Sequence, residues 1–190
     1  MEIDTIETGF YYHIYNRGIN HEVIFPGEQF YARFLDLFAE YMPQVTETLA
    51  YCLLPTHFHF LLYINDQTRA NPSNQFSKLF NAYAQWFNFK RHRNGGLFQR
   101  PFRRKRIGSN EYLRQVIYYI HRNPLHHKVA QDPTAYRFSS YNVILGTPRR
   151  GTPSGWVHRG FVLELFDSLD NFIDYHHYRL EIDGDLLFED

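Results

Sequence analysis

Tyr51-Cys52-Leu53-Leu54-Pro55-Thr56-His57-Phe58-His59-Phe60-Leu61-Leu62-Tyr63-Ile64 contains two apolar runs with a proline between them. Short aromatic and branched runs bounded by a turn signal read as strands, here 45–52 and 57–64. Leu54-Pro55-Thr56 interrupts them, because proline cannot donate to a strand ladder. Side chains alternate faces along a strand, so His57 and His59 point one way while Phe58 and Phe60 point into the opposite layer. Two imidazoles on one rigid strand make a candidate site for a divalent metal.

Upstream, Phe10 to Tyr15 alternates as a first strand that turns at Asn16-Arg17-Gly18. Phe30, Phe34, Leu37, Phe38 and Tyr41 recur at helical spacing and stop at Pro43. Downstream, Phe76, Leu79, Phe80, Tyr83 and Phe87 form the stripe of a second helix, which runs out in basic residues before Asn94-Gly95-Gly96. Leu97 to Ile107 reads as an extended segment. Ser109 then caps a third helix with Glu111 in its first turn. Pro124 is expected to close that helix, which puts Tyr119 and Asn123 four apart on one face and Tyr118 nearly opposite. A short apolar helix ends near Gly146, the stretch 146–155 reads as a linker, and 161–178 reads as one acidic amphipathic helix docked on the domain or on a partner.

A chain of 190 residues suits one well-buried core. The single cysteine, Cys52, allows no internal disulfide, and the first residues lack the basic and apolar pattern of a secretory signal. No apolar run approaches the roughly 20 residues of a membrane span. These features predict a soluble, cytoplasmic protein. The formal net charge of zero conceals a division: eight basic and no acidic residues lie between Lys90 and Arg106, whereas nine acidic residues and one basic residue follow Gly160. Aromatic residues interleave with the basic stretch, a pattern suited to phosphates and unpaired bases. The stretch could be a solvated loop and helix end, but the interleaved aromatics favour nucleic acid, with Arg100, Arg103, Arg104, Lys105 and Arg106 as the expected binding residues.

Each candidate also has a purely structural explanation. His57 and His59 could be strand histidines bonded to backbone, Tyr119 a core residue, and Asn123 a helix terminator capping a carbonyl. His13 could pack or approach DNA, and packing is the expectation. Arg17 and Gly18 could simply turn the chain, although glycine also lets a phosphate backbone come close.

Four segments in order resemble the single-tyrosine HUH transposases, and within them the REP-associated tyrosine transposases. They are Tyr12-His13-Ile14-Tyr15-Asn16-Arg17-Gly18, Tyr51 through His59, Gly96-Leu97-Phe98-Gln99-Arg100 and Tyr119-Ile120-His121-Arg122-Asn123-Pro124. The resemblance implies a ferredoxin-like α/β sandwich whose antiparallel sheet carries the histidines, with helices on one side and a C-terminal helical extension. The domain would span 1–146, and 147–190 would be linker and extension. By position, His57, His59 and Asn123 match the metal ligands, Tyr119 matches the nucleophile, and Arg17 joins the DNA-binding residues.

The implied activity is nicking and joining of single-stranded DNA beside a hairpin or palindromic repeat, through a 5′-phosphotyrosine. A tyrosine with its ordinary pKa near 10 is a poor nucleophile unless the phosphate is polarised, which a divalent ion, Mg²⁺ or Mn²⁺, achieves. A non-catalytic hairpin-binding module on the same fold is the alternative. Both a monomer and a homodimer fit the composition.

Overall fold

Four strands, β1 (Tyr11–Arg17), β2 (Thr46–Leu54), β3 (His57–Ile64) and β4 (Arg103–Ile107), form one sheet in the order β2-β3-β1-β4. Every neighbouring pair is antiparallel. The computed structural model describes residues 5–149 and 155–178. Helices α1 (Glu28–Tyr41) and α2 (Pro72–Arg91) connect β1 to β2 and β3 to β4, giving the strand order and connectivity of a ferredoxin-like sandwich.

The β2–β3 turn is tighter than the sequence suggests. Leu54 stays in β2, and only Pro55 and Thr56 lie outside the ladder. The Pro55 carbonyl accepts from the amides of Ile24 and Phe25, and the Thr56 carbonyl accepts from Gly18. This ties the chain leaving β1 to the hairpin and fixes the end of β3 where His57 sits. Asn16 and Arg17 belong to β1 rather than to a turn. A Cβ on Gly18 would lie 2.3 Å from the Glu22 carbonyl oxygen, so the close neighbour that demands glycine here is the protein's own backbone.

Strand alternation divides the core. Phe58 and Phe60 face α1 and α2, with Phe34 and Phe38 packed against them and Phe80 behind Phe58. The opposite face is covered by α3 (Asn110–His126). Helices therefore lie on both sides of the sheet, which corrects the expectation of one side. The histidine face is apolar enough to need covering: Leu61, Ala50 and Cys52 share it and are buried.

Ser109 caps α3 by accepting from the Tyr112 amide. Pro124 does not end the helix. Proline removes only its own N–H, and the next amides still find partners: His127 donates to the Asn123 carbonyl, and Val129 and Ala130 donate to that of Pro124. The chain leaves the helix through Lys128, which takes a left-handed conformation.

After α4 (Tyr141–Ile144), the expected single acidic helix is two helices, α5 (Arg159–Leu165) and α6 (Leu169–Tyr178). Asp167 at φ 66° breaks them apart. Phe172 and His176 are buried, so α6 docks on the domain. The linker residues 150–154 and the acidic stretch from Arg179 onward lie outside the described residues.

A buried hydrogen-bond chain fastens α6. His176 Nδ1 must donate to the Phe172 carbonyl, which leaves its Nε2 to accept from His121 Nδ1 at 3.1 Å. His121 Nε2 then accepts from Ser140 Oγ at 2.8 Å, and Ser140 Oγ accepts from the Tyr51 amide of β2. Each group has one consistent role when both histidines are neutral. Burial supports that state, holding His121 well below the ordinary histidine value and pushing His176 down to about 3.

The sheet edges differ. Along β2, Ser139 and Val157 form bridges to Cys52 and Thr48. No described strand pairs with the outer side of β4, whose residues Arg103, Arg104, Lys105 and Arg106 are cationic. Among the described residues, no helix is long and apolar enough to cross a membrane.

Candidate active site

His57 and His59 project from β3 with ring centroids 5.2 Å apart and planes nearly perpendicular. Both are buried, as are Asn123 and Tyr119 on α3. Tyr119 presents its ring edge-on to His59 at 5.5 Å and to His13 at 6.0 Å. Residues some sixty positions apart in sequence thus meet because α3 crosses the histidine face of the sheet. Tyr118 turns away and packs against Tyr175 and His176 of α6.

The orientation of Asn123 follows from its hydrogen bond. Its Nδ2 donates to the Tyr119 carbonyl at 2.9 Å, so its other end is the oxygen acceptor. That Oδ1 and His59 Nε2 are buried polar atoms without a hydrogen-bond partner in the described structure. Such atoms are costly unless a ligand or ion satisfies them. Among the described residues there is no group of three His, Cys, Asp or Glu side chains that could hold a metal ion. Any metal held here thus draws on the amide as well as the imidazoles, and the two buried atoms fit that donor set.

The other ring nitrogens are held in place. Thr56 Oγ1 lies 2.9 Å from His57 Nδ1, and His13 Nε2 lies 3.0 Å from His59 Nδ1. When a histidine binds a cation through Nε2, its Nδ1 carries the proton and donates to such a neighbour. Burial pushes His13 down to about 3, with Lys105 adding to the effect. Burial, then His13, His57 and His127, hold His59 well below the ordinary value. Neutral imidazole is the form that ligates metals.

Two neighbours of the site go beyond the sequence reading. His13 packs, as expected, and the structure adds what it packs on: it is fully buried, stacked on His59 and Tyr15. Its signal is the alternation of β1, which puts His13 and Tyr15 on one face. His127 has its ring centroid 4.5 Å from that of His57. It lies four residues after Asn123 and eight after Tyr119, a spacing that keeps all three on one side of a helix.

The expected DNA-binding residues are divided by the sheet. Arg17 is the cross-strand partner of His57, Lys105 that of His13 and Arg103 that of Tyr15, so these three share the histidine face. Arg104 and Arg106 take the opposite face, over Phe102 at 4.9 Å and Phe10 at 3.3 Å. Arg106 also lies 3.4 Å from Glu7. Arg100 is outside the sheet, where its Nη2 donates to Asn81 Oδ1 at 3.3 Å.

No family model matches the chain. A Haemophilus influenzae protein assigned by name to the REP-associated tyrosine transposases is 30% identical over 104 residues. That match spans 50% of this chain and 59% of the relative, so the chain covers about three-fifths of the relative's length. Among solved structures, a REP-associated tyrosine transposase bound to a REP hairpin superposes with a TM-score of 0.60 at 17% identity. It covers 83% of this chain and 90% of its own, a likeness of fold. In sequence over half the chain and in fold over most of it, the chain is similar to REP-associated tyrosine transposases.

Proposed function

We propose that the chain nicks and rejoins single-stranded DNA beside a hairpin, with Tyr119 as nucleophile. The observation that carries this reading is the Tyr119 ring set edge-on to His59 and His13, one helical turn before the buried Asn123 oxygen. In the step, the phenolic oxygen attacks the scissile phosphorus and the bond to the 3′ oxygen breaks. The phenolic proton passes to solvent, and the departing oxygen takes one up to become a 3′-hydroxyl. The 5′ phosphate stays on the tyrosine, so the number of phosphodiester bonds is conserved and the reverse attack reseals a strand.

His57, His59 and Asn123 would hold a divalent cation, Mg²⁺ or Mn²⁺, which when bound polarises the phosphate and offsets its developing charge. Thr56 and His13 orient the two imidazoles. The hydrogen bond from Asn123 to the Tyr119 carbonyl fixes ligand and nucleophile on one rigid turn. Arg17, Arg103 and Lys105 supply cations for the phosphates on either side. The solved relative, which is bound to a REP hairpin, supports a DNA hairpin as the partner.

The test is incubation with labelled hairpin DNA and Mn²⁺, followed by a denaturing gel. The wild type should give a covalent adduct and Tyr119→Phe none. Hairpin binding without any adduct would support the non-catalytic module instead.

A further inference from the structure

Helix α3 and its end set an aromatic partner against each of the two histidines of β3. Tyr119 stands edge-on to His59 with ring centroids 5.5 Å apart, and His127 stands edge-on to His57 at 4.5 Å. Asn123 lies between the two, about one helical turn from each. His127 follows the last residue of α3, and its amide still donates to the Asn123 carbonyl, so it continues the path of the helix. His57 begins β3 and His59 lies further along it, so the helix passes the strand in the opposite direction. The three donors His57, His59 and Asn123 thus have Tyr119 on one flank and His127 on the other, with about 12 Å of helix axis between those two residues.

Phosphoryl transfer needs such an arrangement. The attacking and departing oxygens stand roughly in line on opposite sides of phosphorus. With the phosphate over the two imidazoles and the amide, and the Tyr119 phenol approaching from one flank, the bond that breaks points to the other. The side chain there is a hydrogen-bond donor, because an imidazole carries an N–H in either tautomer. His127 is half-buried, whereas His57 and His59 are buried, so it borders the solvent from which a DNA strand arrives. Two other roles fit less well. As a metal ligand His127 would complete a set of three histidines, and among the described residues no such set is formed. As packing alone, an apolar ring against His57 would serve equally, and that difference is measurable.

We propose that His127 donates a hydrogen bond to the 3′ oxygen that departs when Tyr119 attacks, and holds the resulting 3′-hydroxyl for the rejoining step. The proposal rests on the reading of Tyr119 as nucleophile. As the bond from phosphorus to the 3′ oxygen breaks, its electron pair goes to that oxygen, where the imidazole N–H meets the developing charge. The proton that completes the hydroxyl comes from solvent, so His127 gains and loses none. In the reverse step the same contact sets the hydroxyl in line with the phosphotyrosine.

The test is single-turnover cleavage of two hairpin substrates with Mn²⁺, one natural and one with sulfur in place of the 3′ oxygen at the bond that wild type cuts. A thiolate departs without help from a donor. His127→Phe, which keeps an aromatic ring against His57, should slow cleavage of the natural substrate about 100-fold and of the sulfur substrate less than about threefold. His127→Gln, which keeps an N–H donor, should recover most of the rate. Titration calorimetry should give the Phe variant an affinity for Mn²⁺ within about threefold of wild type. Equal slowing of both substrates, or no slowing of either, would overturn the role. A larger loss of Mn²⁺ affinity would make His127 a support for His57 and overturn it too, as would a Gln variant as slow as Phe. Wild type that cuts neither substrate and forms no adduct would defeat the reading of Tyr119, and this role with it.

Discussion

His13 Nε2 lies 3.0 Å from His59 Nδ1, a diagonal contact between neighbouring strands in which both rings are buried. The contact sets which nitrogen of His59 is left for a cation, so His13 acts on the site without being a ligand. His13→Phe should weaken Mn²⁺ binding by about 10–100-fold. His13→Gln, which keeps an acceptor near the same place, should retain most of the affinity. Isothermal titration of Mn²⁺ into the protein without DNA measures this. Equal losses in the two variants would reduce His13 to a packing residue.

Arg103 and Lys105 face the same side as the histidines from the edge strand β4. Removing both should lower affinity for single-stranded DNA and flatten the plot of log K against log salt by about 1.4, the value for two lost phosphate contacts. Anisotropy titrations across a salt series give the slope. An unchanged slope would mean that these cations do not touch the backbone.

His176 is neutral in the folded protein because burial pushes it down to about 3 from 6.5, with the nearby charges of Arg122 and His177 acting the same way. The unfolded chain then binds more protons at any pH between those values, so stability is intact above about pH 6.5 and declines as pH falls toward 3. At pH 5 a histidine kept neutral costs about 2 kcal/mol. His176→Gln still accepts from His121 but cannot protonate. It should match wild type at pH 8 and lose about 2 kcal/mol less between pH 8 and pH 5, as read from urea midpoints. Parallel pH profiles would contradict the neutral chain.

Gly18 touches the Glu22 carbonyl at the position where its Cβ would be. Gly18→Ala should cost about 1–3 kcal/mol in chemical denaturation, because the obstruction is backbone and cannot swing aside. A neutral effect would show that the turn relaxes more easily than the neighbouring hydrogen bonds to Thr56 and Leu97 suggest.

Much of this architecture is legible in sequence because it is periodic. Alternation at His57–Ile64 gives both the strand and its two faces, and the stripe from Phe76 to Phe87 gives α2 and its buried side. The misread features depend on context. Pro124 looks like a stop, but the loss of one N–H is tolerated where the ring is buried and later amides are satisfied. The stretch 161–178 keeps a helical hydrophobic pattern through the break at Asp167, so periodicity alone runs α5 and α6 together. The candidate site is only half visible. Spacing aligns Tyr119 with Asn123, but no local signal shows that β1 lies beside β3 and brings His13 onto His59. The division of the basic stretch between two faces likewise follows from the register of β4.

The central claim is that Tyr119, set against His59, is the atom source for a covalent link to DNA. The most direct measurement is to trap the protein with hairpin DNA and Mn²⁺, digest both components, and locate the nucleotide mass on the peptides. A 5′-linked nucleotide on Tyr119 and not on the neighbouring Tyr118 is the predicted result. An adduct on any other residue, or cleaved DNA with no protein-linked product, would contradict it.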